Sequence, residues 1–170
     1  MKLHGALTIN GKAYAAGEQV PGRFVYPFFL LHMGMFGVSG FLMAYAADDV
    51  PLPMLFLHGG IAIGAYLVFY LAIFGRDEVR WMLVNAGLGL LGIYTEIGWL
   101  LALFGKAPGD FHWSRHIVPF GYYILYTFLL RQMLLDLFSA REDTQRRRRV
   151  ESAYIGGSLV LYLAMWIVGR

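Results

Sequence analysis

The chain has 170 residues, of which 58% are hydrophobic and 15% charged, with a net charge of +3 and no cysteine. Soluble domains average about 45–50% apolar and about 25% charged residues, so this composition indicates a single membrane-embedded bundle. The lack of cysteine excludes disulfides, thiolate metal sites and cysteine nucleophiles. The basic residues lie between apolar stretches, which indicates topology control and argues against a nucleic-acid partner.

Residues 1–24 form a polar N-terminal segment that we predict to be cytoplasmic. Within it, Asn10 and Gly11 separate two short β-prone runs, 7–9 and 12–14. Asn-Gly is a strong hairpin signal because both residues accept a positive φ. We therefore predict a small β-hairpin lying on the membrane surface.

The remaining residues, 25–170, contain five long apolar stretches, at 25–47, 52–75, 81–104, 117–139 and 152–169. A helix needs about 20 mostly apolar residues to cross the hydrocarbon core of a bilayer, and each stretch approaches or exceeds that length. The sequence thus predicts an all-α membrane protein with five transmembrane helices in one domain.

Lysine and arginine counts predict the orientation. Ten of these residues fall on the side of the N-terminus: Lys2, Lys12, Arg23, Arg76, Arg80, Arg141 and Arg146 to Arg149. Three fall on the other side: Lys106, Arg115 and Arg170. Short cytoplasmic loops carry the excess of positive charge, so we place the N-terminus inside and the C-terminus outside, in a bacterial or archaeal cytoplasmic membrane.

Glycines predict how the helices pack. They recur within the first three predicted spans, at Gly34, Gly37 and Gly40, at Gly60 and Gly64, and at Gly89 and Gly92. Small residues allow helices to approach closely in a bilayer. This pattern predicts a tight core made of spans one to three.

Two polar residues lie at a similar predicted depth near the outer side. His58 is roughly 9 Å inward from the start of the second span, and Glu96 is roughly 12 Å inward from the end of the third. Four more polar side chains stand at the outer mouth: Asp48, Asp49, His112 and His116. We predict an outward-opening polar pocket formed by His58, Glu96, His112 and His116.

Glu96 is the strongest functional signal, since an ionisable side chain within a span is costly and is a functional candidate by default. The alternative is a hydrogen-bonded carboxyl that locks helices together. His112 and His116 are four residues apart, a spacing that suits two imidazole ligands of a metal, with His58 as a third. Pro119 argues against this, because it favours a helix beginning near residue 117. Haem held by His58 and His116 is a further alternative.

A second polar group is predicted in the inner half of the bundle, formed by His32, Asn85 and Arg131. Arg131 is expected to snorkel towards the inner surface or to pair with a carboxylate such as Asp136 or one from a partner. We interpret this group as core polar residues that are satisfied by hydrogen bonds.

The run Arg146 to Arg149 has two interpretations that the sequence leaves open. It sets topology as part of a cytoplasmic loop, or it docks on anionic lipid or a partner, since each basic residue near an anionic leaflet contributes about 1 kcal/mol.

Three functions remain open at this point. The first is a small subunit of a larger membrane complex or homo-oligomer, which supports a cofactor, or a proton or ion pathway, through the outer His/Glu pocket. The second is a proton-coupled transporter or ion channel centred on Glu96. The third is a metal-dependent membrane enzyme that uses the outer histidines and carboxylates.

Overall fold

The computed structural model describes residues 2–9, 11–46 and 49–168. Asn10, Asp48 and Arg170 from the predictions above lie outside the described residues, as do the last residues of the first and fifth predicted spans. Six helices follow a two-stranded sheet: α1 (Gly22–Tyr45), α2 (Leu52–Phe74), α3 (Arg76–Val79), α4 (Trp81–Ala102), α5 (Ile117–Leu137) and α6 (Thr144–Val168). Two short 3-10 helices, Pro108–Asp110 and Trp113–His116, lie between α4 and α5.

The predicted hairpin is confirmed. Strands β1 (Leu7–Ile9) and β2 (Lys12–Tyr14) pair antiparallel, and Gly11 has the positive φ of +77° that the tight turn requires. The backbone amides of His4 and Gly5 donate to the carbonyl of Ala72 at 2.8 and 2.7 Å. These bonds attach the hairpin segment to the C-terminal end of α2.

Membrane-spanning character is clear for part of the chain. Three helices are long and apolar enough to cross a membrane, namely 25–45 of α1, α2 and α6. Two consecutive helical parts meet at an angle of 51°: Arg76–Gly92 and Tyr94–Ala102. Taken together, they are long and apolar enough to form a fourth span. These helices indicate a membrane protein.

Helix α5 is not among the helices that are apolar enough to cross a membrane, and its position gives the physical reason. It packs against α1, α2, α4 and α6 and is therefore the central helix of the bundle. Its polar residues Arg131 and Gln132 are fully buried by those neighbours. A helix that other helices shield from lipid does not need the hydropathy of a lipid-facing one.

The glycine contacts correct the predicted core of spans one to three. A methyl group added at Gly40 would lie 2.6 Å from the Tyr122 ring, and one at Gly89 would lie 2.7 Å from the Tyr123 ring. Both tyrosines belong to α5. Around Gly34, Gly37, Gly60 and Gly64, by contrast, there is open space within 4 Å. A methyl group at Gly92 would lie 2.3 Å from the Tyr162 ring of α6. The tight approaches are therefore made to α5 and α6, and the other four glycines leave space on the outside of the bundle.

The start of α6 also differs from prediction. The helix begins at Thr144, eight residues before the predicted span, so the four arginines form its first turns and are not part of a loop. Asp143 caps it, since its Oδ1 accepts hydrogen bonds from the amides of Gln145 and Arg146 at 2.9 and 3.0 Å.

The helices define two ends of the bundle. We call one the arginine end, formed by the hairpin segment, α3 and the connection from α5 to α6. We call the other the histidine end, formed by the connection from α1 to α2 and by the two 3-10 helices.

Candidate functional site

The most elaborate polar site lies at the arginine end, where two arginines and two glutamates form a closed ring of ion pairs. Arg131 of α5 bonds Glu78 of α3 at 2.8 Å and also bonds Glu151 of α6. Arg147 of α6 bonds the same two carboxylates at 2.7 and 2.9 Å. The ring is electrically neutral and ties three helices together.

Arg131 is the innermost member of this charge ring, with no solvent exposure. Its guanidinium carbon lies 3.9 Å from the centroid of the Trp81 ring, a cation–π contact. Its Nε has no hydrogen-bond partner within the described part of the chain. A buried charge is tolerated only when it is paired, so Glu78 and Glu151 are what allow this arginine to sit inside the bundle.

Glu78 accepts hydrogen bonds from both arginines of the ring. It also accepts a hydrogen bond from the Nε2 of Gln132 at 3.0 Å. Burial alone would raise the pKa of Glu78, but the hydrogen bonds from Gln132 and Arg131 and the charges of Arg131 and Arg147 outweigh burial and lower it to about 2. Glu78 is therefore a permanent anion at physiological pH, which suits a structural clamp and not a proton donor.

Asn85, the second member of the predicted inner group, lies on the α4–α6 side of α5. It is fully buried, and its Oδ1 accepts a hydrogen bond from the hydroxyl of Tyr154 at 3.2 Å. His32, the third member, lies elsewhere: its Nδ1 bonds the Phe28 carbonyl of its own helix at 2.8 Å. The structure therefore does not bring His32 together with Asn85 and Arg131.

Asp136, the carboxylate suggested for Arg131, has a different partner. It bonds Arg141 and accepts a hydrogen bond from the hydroxyl of Tyr26. Arg141 also donates to the Gln132 carbonyl at 3.2 Å. This second cluster joins α1, α5 and the connection to α6, beside a cavity of about 390 Å³ into which Lys2 and His4 also project.

His58 lies in the bundle wall between α1 and α5. Its Nε2 is 3.2 Å from the hydroxyl of Ser39, and its Nδ1 is 3.4 Å from the hydroxyl of Tyr122. It lines a lateral opening of about 360 Å³ between α1 and α2, here called the aromatic groove, whose other walls include His32, Phe36 and other aromatic side chains.

Glu96 lines a different opening of about 270 Å³, here called the glutamate groove. Its walls come from α1, α4 and α5: Met33, Gly34, Gly37, Val38, Phe41, Glu96, Ile97, Leu100, Pro119, Tyr122, Tyr123 and Tyr126. The groove exists because α1 and α4 each pack against α5. Within the described residues, the Glu96 side chain makes no hydrogen bond.

At the histidine end, His116 and His112 have separate local roles. The Nδ1 of His116 bonds the hydroxyl of Tyr45 at 2.7 Å. Burial lowers the pKa of His116, although a hydrogen bond with the Pro108 backbone acts in the opposite direction. His112 is exposed and caps the second 3-10 helix, with its Nδ1 2.8 Å from the hydroxyl of Ser114.

Two cations beside these histidines close the C-terminal end of α1. Lys106 donates to the Tyr45 carbonyl at 2.8 Å, and Arg115 donates to the carbonyls of Ala44 and Val50 at 3.2 and 3.1 Å. Cations are stabilising at a helix C-terminus, where carbonyls lack partners. Lys106 and Arg115 therefore serve the fold of this end.

The four residues of the predicted outer pocket are thus not gathered into one site. The two grooves that contain His58 and Glu96 contain neither His112 nor His116. The physical reason is the central position of α5, which lies against both α2 and α4. Tyr122 of α5 is the nearest link between them, because it bonds His58 and lines the glutamate groove.

The same separation bears on the metal and haem hypotheses. In the part of the chain that the structure describes, no three histidine, aspartate or glutamate side chains come together as ligands of a metal ion. A metal or haem held by His58 and His116 would first have to replace their bonds to Ser39, Tyr122 and Tyr45.

Sequence reasoning missed the charge ring. One of its four pairs was visible, because Arg147 and Glu151 have the i, i+4 spacing of a helix ion pair. Glu78 lies between two apolar stretches, and hydropathy gives no information about which distant arginines it meets.

Searches against protein-family models, curated proteins and solved structures found no match to this chain. The geometry described above therefore carries the functional argument.

Proposed function

We propose that this chain is a five-span integral membrane protein that acts as a small subunit of a larger membrane assembly in a bacterial or archaeal cytoplasmic membrane. Its arginine end faces the cytoplasm and its C-terminus lies outside. The partner is another membrane subunit, which seats a helix in the glutamate groove and supplies a hydrogen-bond donor to Glu96.

In this proposal α5 crosses the membrane in addition to α1, α2, the bent segment and α6. Its 21 residues give a length of about 31 Å at 1.5 Å per residue, which matches the roughly 30 Å hydrocarbon core. Its polar residues face other helices of the bundle, so they do not oppose insertion of the assembled protein. The excess of lysine and arginine on the N-terminal side supports the orientation.

The observation that carries the subunit proposal is the unsatisfied carboxyl of Glu96. An acidic side chain near the centre of a membrane helix costs about 2.5–3.5 kcal/mol on insertion scales, and such groups pair with one another or line a cavity. Here the side chain lines a lateral opening and makes no hydrogen bond in the described part of the chain. A donor from a partner helix would remove that cost.

The groove walls and α6 offer further support. Gly34 and Gly37 leave open space on the groove, and small residues of this kind allow a second helix to approach closely. Only 11% of the apolar stretch of α6 is buried within the chain, compared with 28% in α1 and α2. The surface available to neighbours in the membrane is therefore large.

A proton-coupled transporter centred on Glu96 is the second candidate. The observation that favours it is the polar series from Ser39 through His58 to Tyr122, which reaches the glutamate groove. In a transporter, Glu96→Gln would abolish proton-coupled uptake in reconstituted vesicles of the chain alone. A subunit would show no such uptake without its partners.

The test of the subunit proposal is purification of the tagged chain from its native membrane in a mild detergent, followed by native mass spectrometry. We expect other chains, or a second copy, to co-purify at a fixed stoichiometry. Gly37→Leu fills open space in the groove, so it should leave the fold intact and release the partner. Gly60→Leu also enters open space, but on α2, and serves as the matched control.

Three outcomes would contradict the proposal: a wild-type chain that purifies as a lone monomer, a Gly37→Leu variant that keeps its partner, or loss of the partner in both glycine variants alike. A homo-oligomer that Gly37→Leu dissociates would keep the groove as the interface and identify a second copy as the occupant.

A further inference from the structure

The first two turns of α6 are unusual in their charge. A helix N-terminus carries partial positive charge, so cations there are unfavourable unless an anion is close. Four consecutive arginines, Arg146 to Arg149, nevertheless occupy these turns. Asp143 is the one acidic residue at the cap, and Arg147 alone turns inward to the charge ring.

The other three arginines are exposed. Arg146 has only a long pair with Asp143 at 3.8 Å, in which both side chains are half-exposed, and such pairs contribute little. Arg148 and Arg149 form no ion pair with any carboxylate in the described ranges. Arg148 and Arg149 therefore lie at a positive helix end without a direct ion pair, and Asp143, the one capping carboxylate, acts at longer range on both Arg146 and Arg149.

The position of these side chains along α6 matches the headgroup layer of a bilayer. No charged residue follows Glu151 within the helix, and the segment 153–168 has a length of about 24 Å. Arg149 lies four residues before that segment, or about 6 Å. Headgroup regions add several ångströms on each side of the hydrocarbon core, so the arginines reach the phosphates.

We propose that Arg148 and Arg149, assisted by Arg146, bind the phosphate groups of anionic bilayer lipids and so anchor the start of α6 to the cytoplasmic leaflet. A guanidinium group makes paired, charge-assisted hydrogen bonds to phosphate oxygens. The lipid also adds negative charge at a helix end where Asp143 is the single capping carboxylate for four arginines. The proposal rests on the membrane topology proposed above and is independent of a partner at Glu96.

Because Arg147 links α6 to α5 and α3 through the charge ring, a lipid held by its neighbours is coupled to the rigid core of the protein. This distinguishes a defined site from the general attraction of basic loops to the membrane. Each basic residue contributes about 1 kcal/mol near an anionic leaflet, which is roughly a fivefold change in binding.

The experiment is native mass spectrometry of the full chain in a non-ionic detergent, titrated with phosphatidylglycerol or with phosphatidylcholine. We expect tighter binding of phosphatidylglycerol by the wild type. The double substitution Arg148→Gln with Arg149→Gln should weaken that binding roughly 30-fold and leave phosphatidylcholine binding unchanged. Lys12→Gln removes one exposed cation from the hairpin, outside the proposed site, and should weaken binding much less than the double substitution does.

Arg147→Gln separates lipid binding from stability, because it breaks the ring but removes no exposed arginine. We expect it to lower stability and keep the preference for phosphatidylglycerol. Equal binding of the two lipids by the wild type would overturn the proposal, as would equal losses in the Lys12 and Arg148/Arg149 variants. Competition by free inorganic phosphate or by a DNA duplex at the lipid's own concentration would also overturn it, by identifying a soluble anion or a nucleic acid as the ligand.

Discussion

The charge ring predicts a large effect for a single buried substitution, Arg131→Met. Methionine has a similar length and fits a buried site, but the change leaves Glu78 and Glu151 sharing one arginine, Arg147. The ring then carries an uncompensated negative charge in a region where its carboxylates are only 14–15% exposed. Removing one member of a buried ion pair costs about 3–5 kcal/mol.

The assay is unfolding of the detergent-solubilised protein with increasing dodecyl sulfate, followed by tryptophan fluorescence. Trp81 lies against Arg131 and reports on the ring directly. We expect the free energy of unfolding to fall by about 3–5 kcal/mol in Arg131→Met.

A charge-balanced double variant tests the reason for this loss. Arg131→Met combined with Glu151→Gln leaves the neutral pair of Glu78 and Arg147, which are 2.7 Å apart. If unpaired charge causes the loss, the double variant should regain about half of it, a coupling within the 0.5–3 kcal/mol range of residues in one network. A loss below about 1 kcal/mol in the single variant, or additive losses in the double variant, would refute the reasoning.

Three further predictions concern pH and packing. The pKa of Glu78 is lowered from its ordinary value of 4.5 to about 2. Its contribution to stability is therefore present above pH 4.5 and is lost as the pH falls towards 2. Glu78→Gln should flatten the fall in stability that is measured between pH 5 and 2. Gly59→Leu should lower the free energy of unfolding by at least about 1–3 kcal/mol, since its Cβ would lie 2.5 Å from Val118. The adjacent Gly60→Leu should change it by less than about 0.5 kcal/mol. Equal effects of the two variants in thermal unfolding would contradict the packing around α5. Tyr154→Phe removes the hydroxyl that bonds buried Asn85 and should cost about 1–3 kcal/mol in the same assay, while Tyr126→Phe, half-exposed on the glutamate groove, should cost little.

Local features of the fold could be predicted from the sequence because their causes are local. The Asn-Gly pair predicted the hairpin, whose strands cover residues 7–9 and 12–14. Apolar stretches located the long helices to within a few residues, as in 52–75 for α2 at Leu52–Phe74. The start of α6 was missed because hydropathy excluded its arginines, although Asp143 before Thr144 is a readable N-cap signal.

The arrangement of the polar residues could not be predicted, because it depends on which helices are neighbours. Depth along a helix follows from counting, and it places His58 and Glu96 at similar levels. The direction in which each side chain faces depends on how its helix packs against α5. The hydropathy of α5 does not predict that it is the central helix. The ring has the same origin: Glu78, Arg131 and Glu151 are far apart in sequence and meet only after three helices have packed.

The measurement that tests the central claim most directly is whether α5 crosses the membrane. The chain has no native cysteine, so single cysteines introduced at exposed positions report without background. Gly109→Cys and Gln145→Cys flank α5, and Lys12→Cys marks the N-terminal side. We predict that a membrane-impermeant maleimide labels Gly109→Cys from outside intact cells and labels Gln145→Cys and Lys12→Cys only after the membrane is opened. Labelling of Gly109→Cys and Gln145→Cys from the same side would contradict the five-span account.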